Sequence, residues 1–127
     1  MVGSSSSPLP EKIIILLFMK ESYAYPITGN LDIFTGQNEE EVDGKVIKWF
    51  DILIHGDPKG LRSLAALLLQ LADKDQNDVV DLPEGAREHV HLRPRLELSA
   101  SSDNVIVGRL DAKGTGAFYD RYVPAKK

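Results

Sequence analysis

The chain has 127 residues, 43% hydrophobic and 27% charged, with a net charge of −4. That length suits one domain with its own core, and the acidic balance gives no general attraction to nucleic acid or to an anionic membrane. There is no cysteine, which excludes disulfides, a thiolate nucleophile and cysteine-ligated zinc, and suits a cytoplasmic location.

Residues 1–11, MVGSSSSPLPE, are rich in Ser and Pro and lack periodicity, so a flexible tail is expected there. Ile13–Met19 (IIILLFM) is apolar at every position, as a strand buried on both faces must be. As a signal-peptide core it would be short, and Lys20 and Glu21 intrude before the small-x-small Ser22-Tyr23-Ala24. No apolar run approaches the ~20 residues that a membrane-spanning helix needs.

Leu31–Gly36 (LDIFTG) reads as a short strand after the Pro/Gly turn of Tyr25–Asn30. The first 57 residues hold nine of the 19 acidic side chains against four lysines. Two acidic clusters stand out: Glu39, Glu40, Glu41 and Asp43, and the run Asp73–Glu84 containing Asp78 and Asp81. Such clusters are either solvated loops or an acidic surface for a basic partner. Asp43-Gly44 accepts positive φ at both central positions of a tight turn and signals a hairpin. The strand after it, Val46–Gly56, is apolar on both faces, which places it inside a sheet.

Asp57–Asp75 (DPKGLRSLAALLLQLADKD) is the clearest helix. Asp57 is a good N-cap and Pro58 stands at the first helical position, where its missing N–H costs nothing. Leu61, Leu64, Ala65, Leu68, Leu71 and Ala72 follow the i, i+3, i+4, i+7 spacing of one apolar stripe, widened by Leu67 and Leu69.

In EHVHLRPRLELS (Glu88–Ser99) apolar and polar residues alternate. Read as one strand, Val90, Leu92, Pro94, Leu96 and Leu98 point one way and His89, His91, Arg93, Arg95 and Glu97 the other. Pro94 cannot donate a ladder hydrogen bond, which favours an edge or a bulge there. The His-x-His pair is a candidate half of a metal site that His55 could complete, but a site needs further ligands and Arg93 and Arg95 on the same face would repel a cation. The same four residues form an alternative binding face for an acidic partner. Asn104–Asp111 is a further strand, and the chain closes through Gly114 and Gly116 to Phe118, Tyr119 and Tyr122.

The order of elements predicts an α+β domain over 12–123, with tails at 1–11 and 124–127. It consists of a mainly antiparallel sheet of four to six strands and one long amphipathic helix, about 58–74, packed on one face. Ser102-Asp103-Asn104 is similar to a penicillin-recognising triplet, but the Ser-x-x-Lys partner is missing. No phosphate loop occurs, and no catalytic set is compelling.

From about Trp49 to Tyr119, a strand leading to GDPKGLRSLAALLLQLA, then EHVHLRPRLELS, then VIVGRLDAKGTGAFY, the chain resembles small immunity proteins of bacterial polymorphic-toxin systems. The resemblance implies a non-catalytic, cofactor-free protein that binds a cognate toxin in the cytoplasm and blocks it. A basic toxin domain would find its complement in Glu39, Glu40, Glu41 and Asp43, with Asp78 and Asp81. Two other readings remain open from the residues: a small metal-dependent enzyme using His55, His89 and His91, and a structural module that forms a homodimer through the helix or an edge strand.

Overall fold

The protein is seen here in a computed structural model that describes residues 27–126. The tail at 1–11, the strand expected at Ile13–Met19 and Lys127 lie outside the described residues. Within them the elements are β1 (Leu31–Val42), β2 (Lys45–Gly56), α1 (Pro58–Asp73), a 3-10 turn (Gln76–Asp78), β3 (His89–Leu92) and β4 (Val105–Gly108). The α+β class holds, but the single sheet of four to six strands does not. The described residues form two antiparallel pairs, β1–β2 and β3–β4. The helix keeps almost its expected bounds, and at 16 residues it is short rather than long.

The first pair is a hairpin of two 12-residue strands closed by Asp43 (φ 52) and Gly44 (φ 78). Both turn residues have positive φ, so the type I′ twist matches that of the strands, and Val42 pairs with Lys45. The pairing runs unbroken to Leu31↔Gly56. It carries β1 six residues past the expected end at Gly36, so Glu39–Glu41 lie in a strand and not in a loop. Glutamate is a poor strand former, but a fixed two-residue turn dictates register and so recruits these residues.

The hairpin base enters the core and its far half does not. Leu31 and Ile33 pack with Leu64 and Leu67 of α1, Val90 and Leu92 of β3, and Leu98. The helix buries Gly60, Ser63, Leu64, Leu67 and Leu71. This stripe is rotated from the expected one: Leu67 is wholly buried, while Leu61 and Leu68 stand exposed. Helical spacing marks an apolar arc, and the partner decides which part of a wide arc is covered.

Backbone contacts fix how the chain crosses the start of α1. Asp57 caps the helix by accepting from the Gly60 N–H (2.7 Å). The same carboxylate accepts from the Asn30 N–H (3.0 Å) and the Asn30 side-chain amide (2.7 Å). Ser63 Oγ accepts from the Thr28 N–H (3.1 Å) and donates to the Thr28 carbonyl (2.9 Å).

The outer edge of β1 is closed by the segment before β4. The Ser99 N–H donates to Leu31 O (2.9 Å) and the Asp103 N–H to Ile33 O (2.7 Å). Buried Ser102 accepts from the Ile33 N–H (2.9 Å) and donates to the Ile33 carbonyl (2.7 Å). Ser102→Ala leaves the buried Ile33 N–H without its acceptor, so a loss of about 1–3 kcal/mol is expected in urea unfolding.

The strand expected over Glu88–Ser99 ends at Leu92. Past it the chain reverses: the Leu96 and Leu98 N–H groups both donate to Arg93 O, and Arg95 adopts φ 69. Val90, Leu92 and Leu98 are buried as the alternation predicts, but Leu96 lies on the turn and is 66% exposed. Pro94 removes the donor that a continuing ladder requires, and the chain folds back at that point. The strand expected at Asn104–Asp111 is likewise shorter, Val105–Gly108.

Candidate functional site

The far half of the hairpin gathers the first acidic cluster. Glu39 lies opposite Lys48, Glu40 opposite Ile47 and Glu41 opposite Val46. Residues directly opposite share a face, so Glu39 and Glu41 are on the face that carries Leu31 and Ile33 into the core at the other end. Glu40 is on the reverse face, and Asp43 occupies the turn. All four are exposed.

The ion pairs of the described residues are Lys74–Glu88, Arg93–Glu97 and Arg109–Asp111, so the hairpin carboxylates take part in none of them. A neighbouring acid differs. Asp51 accepts from Trp49 Nε1 (3.1 Å) and Asn38 Nδ2 (3.2 Å), which stiffens the reverse face. The outcome is a group of carboxylates, outnumbering Lys45 and Lys48 of the same half and joined to neither in an ion pair, on a register fixed by the turn.

Asp78 and Asp81 stand elsewhere, beyond the C-terminal end of α1. Their loop is stitched to the segment after β4. Lys113 Nζ donates to the Val79 and Leu82 carbonyls (both 2.7 Å), and Asn77 Oδ1 accepts from the Gly114 N–H (2.9 Å). Buried Gln76 donates to Asp111 O (2.8 Å) and accepts from the Glu88 N–H (2.7 Å). The two acidic clusters therefore belong to different parts of the fold.

The histidine-arginine row is broken up. His89 and His91 are exposed, with ring centroids 5.0 Å apart edge to face, and His89 Nδ1 lies 3.0 Å from Arg87 O. Arg93 turns to Glu97 (3.1 Å), and Arg95 sits in the reversal. His55 packs edge-on against Phe34 in the first hairpin, centroids 5.4 Å apart. Among the described residues no three His, Asp or Glu side chains are grouped to hold a metal ion. His55, His89 and His91 are not brought together as a ligand set.

A polar cleft of about 260 Å³ lies among Lys74, Gln76, Asn77, Arg109, Asp111 and Thr115. Its charges serve the fold. Arg109 donates to the Leu71 (3.1 Å) and Lys74 (2.7 Å) carbonyls at the end of α1, and to both Asp111 oxygens (2.9 and 2.7 Å). A guanidinium there satisfies helix carbonyls that lack intrahelical donors and meets the negative end of the helix dipole. The spacing of Arg109 and Asp111 gave no hint of this in the sequence, because their partners are 35 to 38 residues away.

Three carboxylates lie below the usual range. Hydrogen bonds from Ser99 and Ser101 lower Asp32, the Asn30 side chain and then backbone N–H groups lower Asp57, and the hydrogen-bonded Arg109 lowers Asp111. A folded pKa below the unfolded value stabilises fully above the unfolded value, about 4, and that contribution is lost as pH falls through the folded value. Thermal melts should therefore show no decline from these groups between pH 7 and about pH 4, and a falling midpoint below it. Asp111→Asn should melt lower at pH 7 and lose less on acidification.

Residues 51–110 match the family model of Immunity protein 32. This segment is thus similar to an immunity protein family. The match runs from the second half of β2 through α1 and β3 to just past β4. It takes in the core residues Leu64, Leu67, Val90, Leu92 and Leu98 and the Arg109 cap on α1. The immunity-protein match leaves β1 and the hairpin turn outside its bounds. No curated protein and no solved structure gives a significant match to the chain. Among the described residues no helix is long and apolar enough to cross a membrane.

Proposed function

We propose that this protein is a non-catalytic binding module that neutralises a cognate bacterial toxin by tight binding in the cytoplasm of the producing cell. The observation that carries the reading is the immunity-family match over residues 51–110. The contact surface is the far half of the β1–β2 hairpin, through Glu39, Glu40, Glu41 and Asp43, with Asp78 and Asp81 as a second, separate contact. An excess of carboxylates on this hairpin end favours a basic toxin domain, since charge complementarity raises association rate and selects the partner.

The test is to clone the gene immediately upstream and co-express the toxin domain expected at its C-terminal end. Restored growth, together with a stable complex of the two purified proteins in titration calorimetry, is the expected result. Continued killing with the protein soluble and folded overturns the reading.

A further inference from the structure

The hairpin face that enters the core is covered at the base of β1 and open along β2. Leu31 and Ile33 are 1% and 6% exposed; on the same face of β2, Ile54 opposite Ile33 is 52% exposed, Ile52 opposite Thr35 is 74% exposed and Phe50 opposite Gln37 is 69% exposed. The open surface continues onto the helix. A Cβ at Gly56 would lie 3.0 Å from Leu61 Cγ, and Leu61 and Leu68, two turns apart, are both exposed. Five large apolar side chains on one surface, beside a 12-residue strand with no outer neighbour among the described residues, is an arrangement that soluble proteins rarely leave uncovered.

We propose that Ile13–Met19 of the same chain covers this surface, lying across Phe50, Ile52 and Ile54 and against Leu61 and Leu68. The chain enters the described region at α1: Ile27 packs against the core and Thr28 is hydrogen-bonded to Ser63, on the flank of the helix away from Leu61 and Leu68. The eight residues from Met19 to Ile27 can reach ~26 Å, about the length of α1 at ~1.5 Å per residue. The segment IIILLFM is uncharged and as long as the run Phe50–Gly56.

The five apolar residues include no carboxylate, and those on the same face, Glu39 and Glu41, lie toward the hairpin turn, so a basic partner is better matched by that far end. The proposal is independent of toxin binding.

Hydrogen exchange on the full chain, with the mass measured by light scattering, tests it. In a monomer, the amides of Ile13–Met19 should exchange at least a hundredfold more slowly than in an unstructured peptide. In the variant Phe50→Asp with Ile52→Asn they should speed up at least tenfold while Leu64–Leu71 stay protected. Leu16→Asp should reciprocally speed exchange in β2, which keeps the test decisive if the first variant fails to fold.

Random-coil exchange at Ile13–Met19, or protection that the β2 variant leaves unchanged, overturns the proposal. So does protection that appears only with a concentration-dependent dimer, or only when the toxin domain is added.

Discussion

A variant carrying Glu39→Gln, Glu40→Lys and Glu41→Lys should associate with a basic toxin domain roughly a hundredfold more slowly at ~10 mM salt. Electrostatic steering changes on-rates by ~10 to 10³-fold, and these carboxylates are exposed and joined to no cation in the described ion pairs. The difference should shrink in 0.5 M salt, where the screening length falls toward ~4 Å. Gln is chosen at position 39 because Lys48 lies directly opposite, and like charges across a strand pair would weaken the hairpin itself. Stopped-flow association across a salt series measures the effect, with the urea midpoint as a control for folding. An unchanged on-rate at low salt removes this end of the hairpin from the interface.

Gly60→Ala should destabilise the fold by about 2–3 kcal/mol in urea unfolding, as overpacking does. Helix propensity taken alone predicts the opposite sign, since Gly→Ala in a helix gains about 1 kcal/mol. Gly60 is buried in the first turn of α1, where the Asn30 carbonyl crosses it, and an added Cβ would collide with that oxygen and its carbon. The same oxygen accepts the Asp57 N–H (3.2 Å), and both partners are backbone, so no flexible side chain can move aside. At Gly29, φ 71, an added Cβ would likewise collide with the Gly60 nitrogen. A stabilised Gly60→Ala protein would show that this crossing is looser than the structure describes.

Much of the fold was legible because it follows from local chemistry. Asp57 and Pro58 set the start of α1, and Asp43-Gly44 set the hairpin turn, since each acts within a few residues. The immunity-family resemblance over about 49–119 agrees with the match at 51–110. The acidic clusters were visible as composition, but their arrangement was not. Glu39–Glu41 stand in a strand because the turn register extends to them, while Asp78 and Asp81 are held in a loop by Lys113. The strand alternation that would align His89, His91, Arg93 and Arg95 stops before Pro94, where the chain reverses.

The sequence by itself determined the α+β class, the hairpin turn, the helix start and the acidic character, for each depends on residues close together along the chain. Only the tertiary structure decided that α1 buries Leu67 and exposes Leu61 and Leu68. It alone set Arg109 on the end of α1, and divided the strands into two pairs. These outcomes depend on which surfaces meet across 30 to 70 residues of chain. Hydrophobic burial is non-directional, so a wide apolar arc allows several dockings. Long-range hydrogen bonds such as those of Ser102 and Arg109 then select one of them.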